Sequence, residues 1–179
     1  PKGYGPDAGI LASASRLAKA YFWIHQLAFP IQMAALYVFL KGNDLPQRWH
    51  GHPQRHFCIG ELGFGTGLNF LLTWQAWREL PGSRPDLHYL SIEKHPLTHA
   101  DLATALAAWP TLAPLAKPLL DAYPGLLAGQ HRVLLDDGRV RLDLWWEDAA
   151  EALQDLAGRE QRLVDAWYLD GFAPSHNAS

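Results

Sequence analysis

The sequence predicts an α/β protein with a mostly parallel sheet, and two observations lead to this fold class. Apolar runs typical of strands alternate with helical patterns along most of the chain. The run at residues 57–61 also breaks into a glycine-rich turn that leads directly into a helical pattern. A strand, a glycine turn and a helix in this order bring backbone close to a nucleotide-like ligand. The ligand is therefore expected at the carboxyl ends of the strands.

The individual elements are predicted from apolar periodicity and from the residues that end each run. The predicted helices lie at residues 10–29, 69–80, 96–109 and 149–156, and a proline-punctuated helical region reaches residue 127. The predicted strands lie at residues 37–40, 57–61, 87–93, 131–135, 139–146 and 163–169. In the second predicted helix, Phe70, Trp74 and Trp77 fall near one face.

Three local signals set the boundaries of these elements. Pro96 suits the first position of a helix, where the missing N–H is not needed. Asp136, Asp137 and Gly138 separate two apolar runs, and Asp-Gly is a strong turn signal, so the two runs are predicted to form a β-hairpin. Asp148 is the predicted N-cap of the helix that follows it.

Composition indicates one globular domain. The chain has 179 residues, of which 49% are hydrophobic and 18% charged. Its net charge of −3 gives no support to a dedicated phosphate-binding surface, which normally carries an excess of lysine and arginine. The single cysteine, Cys58, excludes an internal disulfide and is typical of cytosolic proteins. We therefore expect a cytoplasmic location, with Cys58 as a small buried side chain.

Residues 20–40 contain no aspartate, glutamate, lysine or arginine, and this length of uncharged chain is enough to span a bilayer. Pro30 interrupts the stretch, and His25, Gln26 and Gln32 add polar groups. We therefore expect a buried helix up to residue 29, followed by an apolar segment that enters the strand at residues 37–40, and no membrane span.

Four acidic residues follow or end predicted strands: Glu61, Glu93, Asp148 and Asp170. Because ligands bind at the carboxyl ends of parallel strands, these carboxylates are expected to line one site.

The spacing within the glycine turn favours S-adenosylmethionine over a dinucleotide. The glycines stand at positions 63, 65 and 67, and Leu68 occupies the place of the third glycine in the dinucleotide pattern G-x-G-x-x-G. Glu61 suits the ammonium and sulfonium groups of S-adenosylmethionine better than an anionic pyrophosphate. Glu93 can accept hydrogen bonds from ribose hydroxyls of either cofactor. Asp148 can accept a hydrogen bond from the adenine amino group, cap its helix, or do both.

Longer segments resemble a specific protein family. They are residues 38–43 (VFLKGN), 61–70 (ELGFGTGLNF), 91–97 (SIEKHPL), 138–146 (GRVRLDLWW) and 164–174 (VDAWYLDGFAP). These segments resemble the methyltransferase half of the bifunctional tRNA 5-methylaminomethyl-2-thiouridine biosynthesis proteins, and the last of them is the most specific. The resemblance covers residues 37–179, the expected N-terminal part of a methyltransferase domain. Residues 1–36 are an atypical N-terminal segment that is predicted to be helical.

The resemblance implies a class I, Rossmann-like methyltransferase sheet. Such a sheet normally has seven strands, so it is expected to be incomplete on its C-terminal side. The implied reaction is methyl transfer from S-adenosylmethionine to the aminomethyl group of 5-aminomethyl-2-thiouridine at the wobble position of tRNA. In the family an FAD-dependent oxidoreductase half supplies that amine. This half is the expected fused or separate partner, and FAD is expected only there.

The resemblance also implies roles for individual residues. The expected cofactor-binding residues are Glu61, Gly63, Phe64, Gly65, Thr66, Gly67, Asn69, Glu93, Lys94 and Asp148. The expected catalytic residue is Asp170, whose carboxylate would accept an N–H of the acceptor amine. The expected substrate-binding residues are Gly171, Phe172, Ala173 and Pro174. Phe172 would stack on the uracil ring, and Pro174 would stiffen the turn.

Three other functions stay open at the level of sequence. The chain could be a class I methyltransferase that acts on another amine, or a non-catalytic fragment that keeps the fold. An NAD-type oxidoreductase is disfavoured by Leu68. A metal site is not expected, because the histidines at positions 50, 52, 56, 95 and 99 have no cysteine or carboxylate at ligand spacing.

Overall fold

A computed structural model describes residues 36–158 and 164–169 of the chain. Its strands are β1 (His56–Leu62), β2 (Asp86–Ile92), β3 (Gly129–Leu135), β4 (Val140–Trp146) and β5 (Ala166–Leu169). Its α-helices are α1 (Leu45–Trp49), α2 (Leu68–Glu79), α3 (His99–Leu106), α4 (Ala113–Ala122) and α5 (Ala149–Ala157). A π-helical segment at Leu36–Lys41 precedes α1, and 3₁₀ turns lie at Pro110–Leu112 and Asp136–Gly138.

The five strands form one sheet in the order β3-β4-β2-β1-β5. Strand β1 pairs in parallel with β2 and β5, and β2 pairs in parallel with β4. The β3–β4 pair is antiparallel. The predicted α/β class with a mostly parallel sheet is therefore confirmed. The carboxyl ends of β1, β2, β4 and β5 meet at one edge of this sheet, which is where such sheets bind ligands.

Burial explains why the parallel strands read as nearly continuous apolar runs. Every residue of β1 after His56 is buried. Helix α2 contributes Phe70, Trp74 and Trp77 to the main core, as predicted from their spacing, and each is at most 2% exposed. The indole N–H of Trp77 donates to the carbonyl oxygen of Pro85 at 2.8 Å, so this buried polar group is satisfied.

Two hydrogen bonds of Asp165 hold the start of β5 against the neighbouring strand β1. Its carboxylate Oδ2 accepts the main-chain N–H of Cys58 at 2.8 Å, and its own N–H donates to the carbonyl oxygen of Cys58 at 2.8 Å. Burial, with a further contribution from the charge of Asp165, raises the pKa of the Cys58 thiol to about 12. Cys58 is therefore the small buried side chain that its position in the sequence predicts.

The predicted hairpin is confirmed, with a wider turn than a two-residue Asp-Gly connection. Strands β3 and β4 pair from Gly129 with Trp146 to Leu135 with Val140, which leaves residues 136–139 as the loop. Asp136, Asp137 and Gly138 have φ angles of 52°, 55° and 81°. Aspartate and glycine are among the residues that tolerate this left-handed conformation best, so the sequence of the loop suits its shape.

One predicted element type and one predicted helix start are wrong. The predicted strand at residues 37–40 is part of the π-helical segment Leu36–Lys41, because a short apolar run does not by itself distinguish helix from strand. Phe39 is buried there against Tyr168, with ring centroids 4.7 Å apart. The helix predicted to open at Pro96 begins at His99, because Thr98 caps it by accepting the N–H of Asp101.

The predicted helix at residues 10–29 lies outside the described residues, as does most of the uncharged stretch at residues 20–40. Among the helices at residues 36–158, none has the length and apolar character that crossing a bilayer requires.

The sheet face opposite α2 carries a charge network around Asp143. Arg132 donates to both carboxylate oxygens of Asp143, with Nε–Oδ1 at 2.7 Å and Nη2–Oδ2 at 3.0 Å, and His88 Nε2 lies 2.8 Å from Oδ2. The Asp143 side chain is 9% exposed. Burial alone would raise the pKa of Asp143, but the hydrogen bonds from His88 and Arg132 outweigh it and hold the pKa well below its usual range.

We expect Asp143→Asn to lower the free energy of unfolding by about 2 kcal/mol at pH 7, because charge-assisted hydrogen bonds are lost. A carboxyl whose pKa is depressed in the folded state stabilises the fold above its unfolded pKa of 3.8, and this contribution disappears as the pH falls towards the folded pKa. The difference between wild type and variant should therefore narrow below about pH 4, measured by urea unfolding.

The exposed pair Lys117–Asp121 offers the control for this experiment. Asp121→Asn should change the free energy of unfolding by less than about 0.5 kcal/mol. If the stability difference between wild type and Asp143→Asn widened at low pH, Asp143 would not have a depressed pKa in the folded state.

Candidate cofactor site at the carboxyl ends of the strands

The glycine turn between β1 and α2 takes its shape from three left-handed residues. Gly63, Gly65 and Gly67 have φ angles of 91°, 51° and 67°, a region that other residues seldom adopt. The N–H of Gly63 donates to the carbonyl oxygen of Ile92 at 2.8 Å, which holds the start of the turn on β2. The alternation of glycines in the sequence is therefore explained by backbone conformation at each of the three positions.

The three glycines differ in their surroundings. A Cβ atom at Gly63 or Gly65 would meet no other atom within 4 Å, and both residues are exposed. A Cβ atom at Gly67 would lie 2.7 Å from Cζ of Phe64, and Gly67 is buried. The backbone at Gly63 and Gly65 is thus open to close approach by a ligand, whereas Gly67 also makes room for the packing of the turn itself.

The side chain of Phe64 attaches the turn to the core by packing in an aromatic cluster. Its side chain is 3% exposed and lies parallel to the Tyr123 ring, with centroids 6.3 Å apart, and Trp146 packs at the same distance. The Tyr123 hydroxyl donates to the carbonyl oxygen of Leu97 at 3.2 Å. Phe64 was predicted from the family resemblance to bind the cofactor, and the structure places its side chain in the core.

Glu61 lies buried beneath the same turn. Its carboxylate accepts hydrogen bonds from Ser91 Oγ to Oε2 at 2.7 Å and from Asn69 Nδ2 to Oε1 at 3.0 Å. The residue is 1% exposed. Because Asn69 lies in the first turn of α2 and Ser91 in β2, this carboxylate joins the helix that follows the turn to the neighbouring strand. The structure therefore places Glu61 and Asn69 in one hydrogen-bonded unit.

Glu93 faces the exposed side of the turn. Its Oε2 accepts the N–H of Gly65 at 3.1 Å, and its Oε1 accepts the N–H of His95 at 2.8 Å. Burial, followed by the charge of Glu93, raises the pKa of Tyr123 to about 12, so the Tyr123 hydroxyl lies within the field of this carboxylate. Tyr123 is a member of the site that the sequence did not reveal, because nothing in the proline-punctuated region marks it.

Asp148 is the N-cap of helix α5, which confirms one of its two predicted roles. Its Oδ1 accepts the N–H of Ala150 at 2.8 Å, and Lys94 Nζ donates to Oδ2 at 3.0 Å. The Lys94 hydrogen bond and then the Ala150 hydrogen bond lower the pKa of Asp148. The structure brings Lys94 and Asp148 together at the ends of β2 and β4, and an additional contact of Asp148 with adenine remains a prediction.

The predicted catalytic and substrate-binding residues, Asp170, Gly171, Phe172, Ala173 and Pro174, lie outside the described residues. The last described residue before them, Leu169, pairs with Leu62, which immediately precedes Gly63. Strand β5 is therefore in register with β1 at the edge where the glycine turn begins. The remaining predicted residue of the turn, Thr66, is partly exposed.

The donors and acceptors around the turn fit a cationic ligand better than a pyrophosphate. In dinucleotide sites the main-chain N–H groups of the glycine turn bind phosphate. Here the N–H of Gly65 is directed at the Glu93 carboxylate, which would repel a phosphate and attract a sulfonium or ammonium group. The chemistry of the site therefore agrees with the preference for S-adenosylmethionine that the glycine spacing indicates.

Comparison with known proteins gives the same class. Residues 110–179 match the model of a family described as S-adenosyl-L-methionine-dependent methyltransferases. The chain is 52% identical over 146 residues to the tRNA 5-methylaminomethyl-2-thiouridine biosynthesis bifunctional protein MnmC of Vibrio cholerae serotype O1, 51% over 144 residues to that of Aeromonas hydrophila, and 49% over 146 residues to that of Aliivibrio fischeri. The chain is similar to the methyltransferase half of this bifunctional protein.

These alignments cover 79% of this chain and 22% of each relative, so the chain spans about a fifth of the length of the curated relatives it matches. A crystal structure of MnmC2 from Aquifex aeolicus shares the fold, with a TM-score of 0.53 and 20% sequence identity over 79% of this chain and 40% of that chain. These comparisons confirm the predicted family resemblance and the class I methyltransferase fold. The match of residues 110–179 to an S-adenosyl-L-methionine-dependent methyltransferase family agrees with the predicted enzyme and cofactor classes.

We expect Gly65→Ala to lower the free energy of unfolding by about 1–2 kcal/mol, because alanine is strained in the left-handed conformation. The cause is conformation and not crowding, since a Cβ atom at this position meets no neighbour within 4 Å. Gly125 is the matched control, because it has equal space for a Cβ atom and no positive φ angle. Equal losses for Gly65→Ala and Gly125→Ala in urea unfolding would contradict this explanation of the turn.

Proposed function

We propose that residues 37–179 form the N-terminal part of a methyltransferase domain that acts on tRNA. The reaction is methyl transfer from S-adenosylmethionine to the aminomethyl group of 5-aminomethyl-2-thiouridine at the wobble position. The observation that carries this proposal is the identity of 52% over 146 residues to a protein named for the biosynthesis of 5-methylaminomethyl-2-thiouridine in tRNA. The open glycine turn, with the Glu93 carboxylate beside it, supports the part of this proposal that concerns the cofactor.

The residues that hold the cofactor divide into two groups in this proposal. Those at the open side of the turn contact it: Gly63, Gly65, Thr66, Glu93, Lys94 and Asp148. Those beneath the turn, Glu61, Phe64, Gly67 and Asn69, are cofactor-binding residues in the sense that they hold the turn in its binding shape. Glu93 can accept hydrogen bonds from ribose hydroxyls while it keeps its hydrogen bonds from the N–H groups of Gly65 and His95, because each carboxylate oxygen has two lone pairs.

The chemical step requires the chain to orient a neutral amine. S-adenosylmethionine supplies an activated methyl group when bound, so the work of the protein is mainly positioning. Asp170 accepts an N–H of the amine, which directs the nitrogen lone pair and receives the proton that the product loses. Phe172 stacks on the uracil ring, Pro174 stiffens the turn, and Gly171 and Ala173 complete the substrate-binding segment.

The wider setting follows from the relatives, which are named as bifunctional tRNA biosynthesis proteins. We propose tRNA as the partner, an FAD-dependent oxidoreductase half, fused or separate, as the source of the amine, and the cytoplasm as the location. FAD would then bind to that half and not to residues 37–179.

The cofactor assignment is tested by calorimetric titration of the purified protein with S-adenosylhomocysteine and with NAD. We expect S-adenosylhomocysteine to bind and NAD not to bind. Glu93→Ala should weaken S-adenosylhomocysteine binding about 10-fold, because a charged acceptor is lost. Glu79→Ala, at the exposed end of α2, should leave the affinity unchanged. Binding of NAD without S-adenosylhomocysteine would reject the methyltransferase proposal.

The substrate assignment is tested with the natural protein that carries this sequence. It is incubated with tRNA containing 5-aminomethyl-2-thiouridine and a labelled methyl donor, and the digested nucleosides are analysed by mass spectrometry. We expect label on the wobble nucleoside and, for Asp170→Ala, a kcat lowered about 100-fold with unchanged affinity for S-adenosylhomocysteine. The exposed Asp155 gives the control variant Asp155→Ala. Absence of label at the wobble position contradicts the tRNA assignment, and full turnover of Asp170→Ala contradicts the role of that residue.

A further inference from the structure

A row of buried polar side chains crosses three strands just below the site. Glu61 of β1 is in register with Ser91 of β2 and with Tyr168 of β5, so the three side chains lie at one level of the sheet. Their exposed fractions are 1%, 0% and 0%. Helix α2 adds Asn69 and Thr73 to the row, and Thr73 is 1% exposed. Polar groups this deeply buried are stable only if they are hydrogen-bonded.

The hydrogen bonds connect these residues into one chain, in which the link from Thr73 to Asn69 is made through the main-chain carbonyl of Asn69. Beyond the bonds of Ser91 and Asn69 to Glu61, Thr73 Oγ1 donates to the carbonyl oxygen of Asn69 at 2.6 Å. Thr73 Oγ1 and Tyr168 Oη are 3.0 Å apart. A threonine hydroxyl has one hydrogen, and that of Thr73 is used on Asn69, so Tyr168 is the donor in the second bond. Burial, together with the charge of Glu61, raises the pKa of Tyr168, which keeps this hydroxyl protonated.

Members of the connected row are close in sequence to residues of the proposed site. Ser91 precedes Glu93 by two residues, Asn69 follows Gly67 by two residues, and Tyr168 precedes Asp170 by two residues. The ribose carboxylate, the cofactor turn and the acceptor carboxylate are therefore each two residues from a member of the row. Thr73 and Tyr168 make the contact that joins α2, and through it the turn, to β5.

We propose that Thr73 and Tyr168 are positioning residues, whose hydroxyl contact holds the cofactor turn and the acceptor end of β5 at a fixed separation. This proposal rests on the proposed function, since it assigns the two ends of the row to the methyl donor and to the acceptor. The contact matters for rate, because methyl transfer depends on the alignment of the two reactants.

The test uses variants that remove single hydroxyls with little change in volume. Thr73→Val removes the hydroxyl that links Asn69 to Tyr168, Thr73→Ser keeps it, and Tyr168→Phe removes its partner. Thr104→Val is the matched control, because Thr104 Oγ1 makes the same type of bond, to the carbonyl oxygen of Ala100 at 2.8 Å, on an exposed part of α3.

Kinetics with the tRNA substrate give the first measurement. We expect Thr73→Val and Tyr168→Phe each to lower kcat about 10-fold while KM for tRNA stays within about two-fold. Because both variants break one contact, the double variant should lose little more than either single variant. Thr73→Ser should restore kcat, and Thr104→Val should not change it. The proposal would be overturned if the fold-losses of kcat in the two single variants multiplied in the double variant, or if Thr73→Ser failed to restore kcat.

Hydrogen exchange in the absence of any ligand gives the second measurement, which separates this proposal from the proposed function. Thr73→Val should increase amide exchange in two peptides, one containing residues 63–69 and one containing residues 166–169, and Thr73→Ser should not. An increase confined to α2 would overturn the proposal even if the enzyme methylates tRNA. The predicted exchange pattern in a protein that binds no S-adenosylhomocysteine would support the link between turn and strand and contradict the proposed function.

Discussion

The arrangement of the site depends on the hydrogen bonds that the buried carboxylate of Glu61 accepts. A carboxylate inside a sheet is stable only when hydrogen-bond donors surround it, and here the donors come from β2 and from the first turn of α2. These bonds fix where α2 begins relative to β1 and β2. The direction of α2 in turn determines how the three left-handed glycines present their peptide groups. A buried acidic residue near the carboxyl end of β1 thus specifies the geometry of an exposed backbone turn.

The turn is supported on two sides by different kinds of interaction. Below it, Phe64 packs with Tyr123 and Trp146, so apolar contact prevents the turn from moving into the core. On its open side, Glu93 accepts the N–H of Gly65, which directs that peptide group to a carboxylate and leaves negative charge at the surface. A glycine turn between a strand and a helix, which binds phosphate in dinucleotide proteins, is therefore suited here to a cation. The difference between the two cofactor classes lies in the side chains around the turn and not in the turn alone.

The sequence allowed much of this to be predicted where the signals are local. The glycine turn at residues 63–67, the N-cap at Asp148 and the turn at Asp136–Gly138 follow from the conformations that these residue types prefer. The boundary at Pro96 was predicted wrongly because two residues, Pro96 and Thr98, are each suited to a helix start. The run at residues 37–40 was predicted wrongly because four apolar residues carry no period that separates strand from helix.

By itself the sequence determined the fold class, the position of the glycine turn and the presence of acidic residues at the ends of strands. Only the tertiary structure decided what each acidic residue does: Glu61 is buried in a hydrogen-bonded row, Glu93 faces the turn, and Asp148 caps α5. It also placed Tyr123 beside Phe64 and brought Tyr168 to Thr73. The physical reason is that backbone preferences act between neighbours in the chain. Hydrogen-bond partners and packing, in contrast, depend on strand register and helix docking, which bring together residues that are far apart in sequence.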